Sequence, residues 1–187
     1  MIDIALKEWA VICDLLVEGR QALVLRKGGV HEEGGPGRFR LEHDRFALFP
    51  AWEHQYVEGL KPEFRERVEA FETEPSSVSL SGWAEVAKIW EVSSRSAFDG
   101  LDDLHGWAKP QVDMRFGYKP DRPLYLLALR VYRLAEPKVI GLTERHWGCK
   151  SWVPLEAGEA VDEAGAEPAL GFRMFERVVE RIETAMG

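Results

Sequence analysis

The sequence predicts an α+β fold: a single domain on a mostly antiparallel sheet, barrel-like closure being one form it could take, with flanking helices and a C-terminal helix. Three observations lead there. Apolar runs of strand length mix irregularly with stretches of helical periodicity, and no regular strand-helix-strand alternation is visible. Gly/Pro clusters at residues 28–29 and 34–37 separate the early apolar runs, as they do between antiparallel strands. The 187 residues, 45% hydrophobic and 30% charged, match one ordinary globular domain that can bury its own core.

Residues 6–27, "LKEWAVICDLLVEGRQALVLRK", read as two apolar runs around Glu18-Gly19-Arg20-Gln21 and favour a hairpin. Leu6, Trp9, Ala10, Cys13 and Val17 also fit a helical period. After the Gly/Pro connection, "RFALFP" is again strand-like. From Trp52 to Phe71 apolar residues recur every three or four positions, an amphipathic helical pattern that Pro62 splits. Residues 78–92 suit one or two strands, and Ser93 or Ser94 is placed to cap a short helix. "PLYLLALRVYRL", residues 123–134, is the most strand-like run, and a loop leads from it to a short final strand in "GCKSWVPL". Residues 1–156 therefore form the α+β domain. Residues 157–187 form an acidic linker and an amphipathic helix packed on it, striped by Leu170, Met174, Phe175, Val178 and Ile182.

The N-terminal run carries acids and a lysine, so it is neither a signal peptide nor a membrane span, and a cytoplasmic location follows as the default. Cys13 and Cys149 lack a CxxC spacing and read as reduced structural thiols. The net charge of -8 excludes a protein that coats nucleic acid over its whole surface. The charge is uneven, however: residues 105–152 hold nine Lys/Arg against four Asp/Glu, and residues 20–45 hold six against four. That asymmetry is the footprint of a localised anion-binding face, which solvated acidic helices would equally produce.

Four constellations bear on chemistry. Lys27 precedes Gly28 and Gly29, the reverse of the order a phosphate-binding P-loop needs. His31, Glu32, Glu33, His43, Asp44 and His54 are competent metal ligands without a recognised spacing. Pro120-Asp121 followed by Glu136-Pro137-Lys138 matches a nuclease pattern on paper. The residues between them read as one strand of about 12 residues, roughly 40 Å long, which would hold the acids apart. Cys149 lies near His146, Lys150 and Ser151 in sequence, which is not an activation geometry. No catalytic or metal-ligating residue is assigned, and no cofactor is expected. The remaining signal is the interleaving of basic and aromatic side chains, the combination that neutralises phosphates and stacks bases. Its residues are Arg26, Lys27, Arg115, Lys119, Arg130, Arg133, Trp147, Lys150 and Trp152, with Glu53, His54, Gln55 and Cys149 as pocket candidates.

"ALKEWA", "LRKGGVHEE", "RFALFPAWEHQ", "RPLYLLALRVYRL" and "GCKSWVPL", taken together over residues 5–156, resemble the bacterial family called domain of unknown function 1802. The resemblance implies no established activity. The association of some relatives with a restriction-type nuclease domain implies a restriction-modification setting, in which this chain would be a recognition part working with a separate nuclease subunit. The leading expectation is a non-catalytic nucleic-acid-associated binding module whose partner is DNA or RNA. The alternatives are a metal-dependent hydrolase or nuclease using His31, Glu53 and His54, and a protein-interaction subunit.

Overall fold

The structure, a computed structural model, describes residues 1–27, 41–69, 75–148 and 150–187. It is a mixed α/β domain around one mostly antiparallel open sheet of seven strands among those residues. The strands are β1 (Ile4–Trp9), β2 (Leu23–Lys27), β3 (Arg45–Ala51), β4 (Ser77–Glu91), β5 (Leu124–Gly141), β6 (Trp152–Pro154) and β7 (Glu167–Pro168). Their order is β2-β5-β4-β3-β1-β6, with β7 added on β5. The pair β1–β3 is parallel and every other pair is antiparallel.

The first apolar run is not a hairpin arm. It is β1 followed at once by helix α1 (Ala10–Val17), whose Val11, Ile12, Cys13, Leu15 and Leu16 are all buried. A helix apolar everywhere but at its one exposed residue, Asp14, belongs against a core, and the same residues satisfy strand and helix patterns equally, so periodicity could not separate them. The glycine taken for a hairpin turn ends this helix instead. Gly19 has φ +71°, its N–H donates to Leu16 O at 3.1 Å, and the N–H of Arg20 donates to Leu15 O at 2.9 Å. That pair of bonds is a Schellman motif, which needs a left-handed residue where Gly19 stands.

The Trp52–Phe71 pattern, expected to be a split amphipathic helix, folds into two short 3-10 turns at Val57–Gly59 and Pro62–Arg67. Pro62 opens the second turn, and Leu60 and Phe64 are its buried anchors. Residues 78–92 are a single strand, and the Ser94 hydroxyl accepts the Ala97 N–H to cap α2 (Arg95–Asp99). Helix α3 (Lys109–Gly117) follows. β5 runs seven residues past the expected end at 134. Its partners jump from Arg133–Gly82 to Lys138–Leu80, so Pro137 sits in a bulge where no ladder bond is asked of it. Glu136 and Lys138 therefore lie on the strand that Asp121 precedes, and the nuclease pattern fails as a site.

Two apolar clusters hold the layers. The larger joins α1, β2, Phe98, Trp107 and Val112 to Phe175 and Ile182 of the C-terminal helix α4 (Phe172–Met186). The smaller, with Phe49, Trp83 and Val153, includes Val161, whose backbone bridges Ile2. Residues 157–168 are thus tied to the sheet by Val161 and by β7. Met174, placed in the buried stripe of the last helix by periodicity, is half exposed.

Candidate functional site

Because β1 and β3 are parallel and in register from Ala5–Ala47 to Trp9–Ala51, both strands finish at the same edge of the sheet. At that edge lies a cleft of about 130 Å³ whose charged lining is Lys7, Glu8, Arg26, Glu53, Arg115 and Lys150, with Trp9 and His54 on its wall. Four cations thus meet two carboxylates.

The lining is built from two linked arrangements. Lys7, 7% exposed, donates to Glu53 Oε2 at 2.9 Å and to the Gly148 carbonyl at 3.1 Å, while the Gly148 N–H reaches Glu53 Oε1 at 3.3 Å. One triangle therefore fixes β1, the turn after β3 and the loop before β6 against each other. The turn is tight: Gln55 N–H donates to Trp52 O, and His54 has φ +62°. A non-glycine residue held there costs about 1 kcal/mol or more, and such strain tends to gather at functional sites.

Next along the strand, Glu8 is 2% exposed. It accepts the Trp9 N–H at 2.9 Å, the Arg26 guanidinium at 3.0 Å, and stands 3.8 Å from the Arg115 guanidinium. Arg26 also donates to the Lys7 carbonyl at 2.9 Å, so a side chain of edge strand β2 reaches β1, although three strands lie between them in the sheet order. The sheet is curled enough for that. Burial lowers the pKa of Arg26, and the attraction of Glu8 opposes the shift. At the start of α1, Glu8 and Gln55 Oε1, which accepts the Val11 N–H at 3.0 Å, take up the free helix donors.

What the network leaves over is informative. Arg26 Nε, Arg115 Nε and Gln55 Nε2 are buried and have no acceptor among the described residues. Buried donors are nearly always paired, so the residual chemistry here is a surplus of N–H groups awaiting oxygen.

The sequence candidates divide accordingly. Arg26, Arg115, Lys150, Glu53 and His54 converge on the cleft. Gln55 stands beside it as a helix partner. Lys27 points elsewhere: its ammonium donates to the carbonyls of Arg115 at 3.2 Å and Phe116 at 2.6 Å, closing the last turn of α3, and burial lowers its pKa. Lys119, φ +45°, lies in the exposed loop after α3. Arg130 is on β5 under α4, 3.2 Å from Glu176 and over the Phe175 ring, away from the cleft. Arg133 faces Glu167 in the β5–β7 register. Trp147 is half-buried in the loop before β6, and Trp152 packs edgewise on Phe46 at 5.2 Å. Cys149 and His31 lie outside the described residues. Among the described residues no group of three His, Cys, Asp or Glu could hold a metal ion, and no helix is long and apolar enough to cross a membrane. Lys7 and Glu8 were not singled out by sequence, although two adjacent charges inside "IALKEWAVICDLL" were the available signal.

A family model described as "Domain of unknown function (DUF1802)" matches residues 5–181, well past the 156 at which the recognisable blocks end. No curated protein matches. Among solved structures, the ASCH protein from Zymomonas mobilis is similar at 12% identity and TM-score 0.46, covering 83% of this chain and 89% of that one. A single-residue variant of it gives 13% identity and TM-score 0.48 over 85% and 94%.

Proposed function

We propose that this chain, which belongs to the DUF1802 family, is a nucleic-acid-associated binding module that seats a phosphate of its ligand in the cleft between β1, β2 and α3. The observation that carries this reading is that Arg26 and Arg115 both line the cleft, and each keeps a buried guanidinium Nε–H with no acceptor among the described residues. A phosphate supplies oxygens in the planar spacing a guanidinium matches, and Lys150 adds charge at the rim. Glu8 holds both guanidinium groups in place without occupying either Nε. A volume of about 130 Å³ suits a phosphate-sized group and falls far below the roughly 300 Å³ of a pocket that encloses a whole drug-sized ligand. The net charge of -8 then confines nucleic-acid contact to this edge. A cytoplasmic restriction-modification setting, with cleavage supplied by a separate nuclease subunit, is the context in which such a recognition part would work.

The test is binding to labelled single- and double-stranded DNA and RNA by fluorescence anisotropy between about 20 and 200 mM salt, a range over which counterion release is readable. Log affinity should fall with log salt at a slope of about -0.7 to -0.9 for the one phosphate seated, and Arg115→Ala should weaken binding about tenfold and flatten that slope. A salt-insensitive signal, or Arg115→Ala binding as the parent does, overturns the reading.

A further inference from the structure

The lining of the cleft also bears on which kind of phosphate it seats. Four cations, Lys7, Arg26, Arg115 and Lys150, stand there against two carboxylates, Glu8 and Glu53, which leaves a surplus of two positive charges. Resting on the phosphate reading above, we propose that the seated group is a terminal phosphomonoester, carried by a strand end or a mononucleotide, rather than a phosphodiester inside a strand.

Charge balance favours the monoester. The side chains of Lys7, Glu8 and Arg26 are 7%, 2% and 15% exposed, and charge left uncompensated in so shielded a place is costly. At neutral pH a phosphomonoester carries about two negative charges and a diester about one. The first neutralises the surplus, and the second leaves a cation unmatched. Donors point the same way. Among the described residues Lys7 engages two of its three N–H groups and Lys150 one, while Arg26 and Arg115 each keep a buried Nε–H without an acceptor. A monoester offers such a set three unesterified oxygens, and a diester offers two. Space adds to this. A cleft of about 130 Å³ has room for a phosphoryl group and little more, and a strand threaded through it would have to lead two ester oxygens out, whereas a strand end leads out one. Beyond the cleft the strand meets a protein of net charge -8, which favours inner phosphates pointing away over lying along the surface.

The experiment is fluorescence anisotropy on the full chain with short oligothymidylates and oligouridylates labelled at one end. The other end, 5′ in one series and 3′ in a second, is a hydroxyl, a phosphate or the methyl ester of that phosphate. In at least one series the phosphate should bind about tenfold tighter than the hydroxyl and the methyl ester, because it alone adds a dianion. Lys150→Gln takes the surplus from two charges to one and should reduce that preference to about threefold. Thymidine 5′-monophosphate should compete where thymidine does not. Its affinity against that of the phosphate-ended strand tells a nucleotide from a strand end, since both present the same group. Equal affinity of all three ends in both series, with binding still weakened by salt, overturns this proposal and leaves the phosphate reading standing, inner phosphates then being what binds. A methyl ester as tight as the free phosphate also overturns it. Strands that do not bind at all, or bind without regard to salt, strike the phosphate reading and this proposal together.

Discussion

Replacing Glu8 by alanine should destabilise the fold far more than its single negative charge would on a surface. The carboxylate is 2% exposed and serves the Trp9 N–H, the Arg26 guanidinium at 3.0 Å and, at 3.8 Å, that of Arg115. Without it, Arg26 keeps one acceptor, the Lys7 carbonyl, in a place where burial already disfavours its charge. Breaking a buried pair by removing one partner costs about 3–5 kcal/mol, because the remaining charge is left uncompensated. At roughly 2–4 °C per kcal/mol for a chain of this size, the thermal midpoint should fall by about 10 °C. Urea unfolding followed by circular dichroism measures the loss. The double variant Glu8→Ala/Arg26→Met is the decisive control. With both charges gone, the more exposed Arg115 is the only guanidinium left without that carboxylate, and stability should recover by about 1–3 kcal/mol relative to Glu8→Ala alone. A single-variant loss below about 1 kcal/mol, or strictly additive losses in the double, would refute the view that Glu8 neutralises a buried guanidinium.

Two further outcomes follow from the packing. His105, 5% exposed and stacked on Phe98, has its pKa lowered to about 4, chiefly by burial and then by the Lys61 charge. Its folded value lies below the unfolded 6.5, so the unfolded chain takes the proton first as pH falls. Stability should therefore drop by about 2–3 kcal/mol between pH 6.5 and 4, and His105→Phe should remove most of that slope in pH-dependent urea titrations. Gly19→Ala meets two obstacles at once, a φ of +71° and an Ala169 carbonyl oxygen that a Cβ would approach to 2.2 Å. A loss of at least about 2 kcal/mol by differential scanning fluorimetry is expected, and an unchanged midpoint would contradict that close approach.

Much of the architecture was legible because local signals agreed with one another. "PLYLLALRVYRL" was the most strand-like run, Ser93 or Ser94 was positioned to cap a short helix and Ser94 does so, and the family blocks ran in order. Where two periods coexisted the sequence was mute. "ALKEWAVICDLL" satisfies strand and helix alike, and it becomes β1 and then α1 because a helix apolar everywhere but at Asp14 is accepted only against a core. The 3-10 turns at 57–67 kept the three-residue spacing of a helix without its length. For the cleft, the interleaving of basic and aromatic residues had picked out Arg26, Arg115 and Lys150, and these line it. It could not say that Lys27 would be spent on the end of α3, or that Arg130 would pack beneath α4. Those outcomes depend on the curl of the sheet and on which neighbours the chain brings back. Lys7 and Glu8 carried no such signal, because their partners, Glu53 and Gly148 for the one and Arg26 and Arg115 for the other, are brought to β1 only by the fold.

The placement of β1 also sets a schedule for synthesis. This strand is made before both of its sheet neighbours, residues 45–51 and 152–154. At about 5–20 residues per second, it waits some tens of seconds or less for the last of them to be made. An apolar strand waiting beside a nascent chain is a template for wrong pairing. Two adjacent opposite charges in its middle are the kind of interruption that keeps such a segment from associating. Lys7 and Glu8, whose side chains line the cleft of the finished fold, are the residues that place such an interruption in β1.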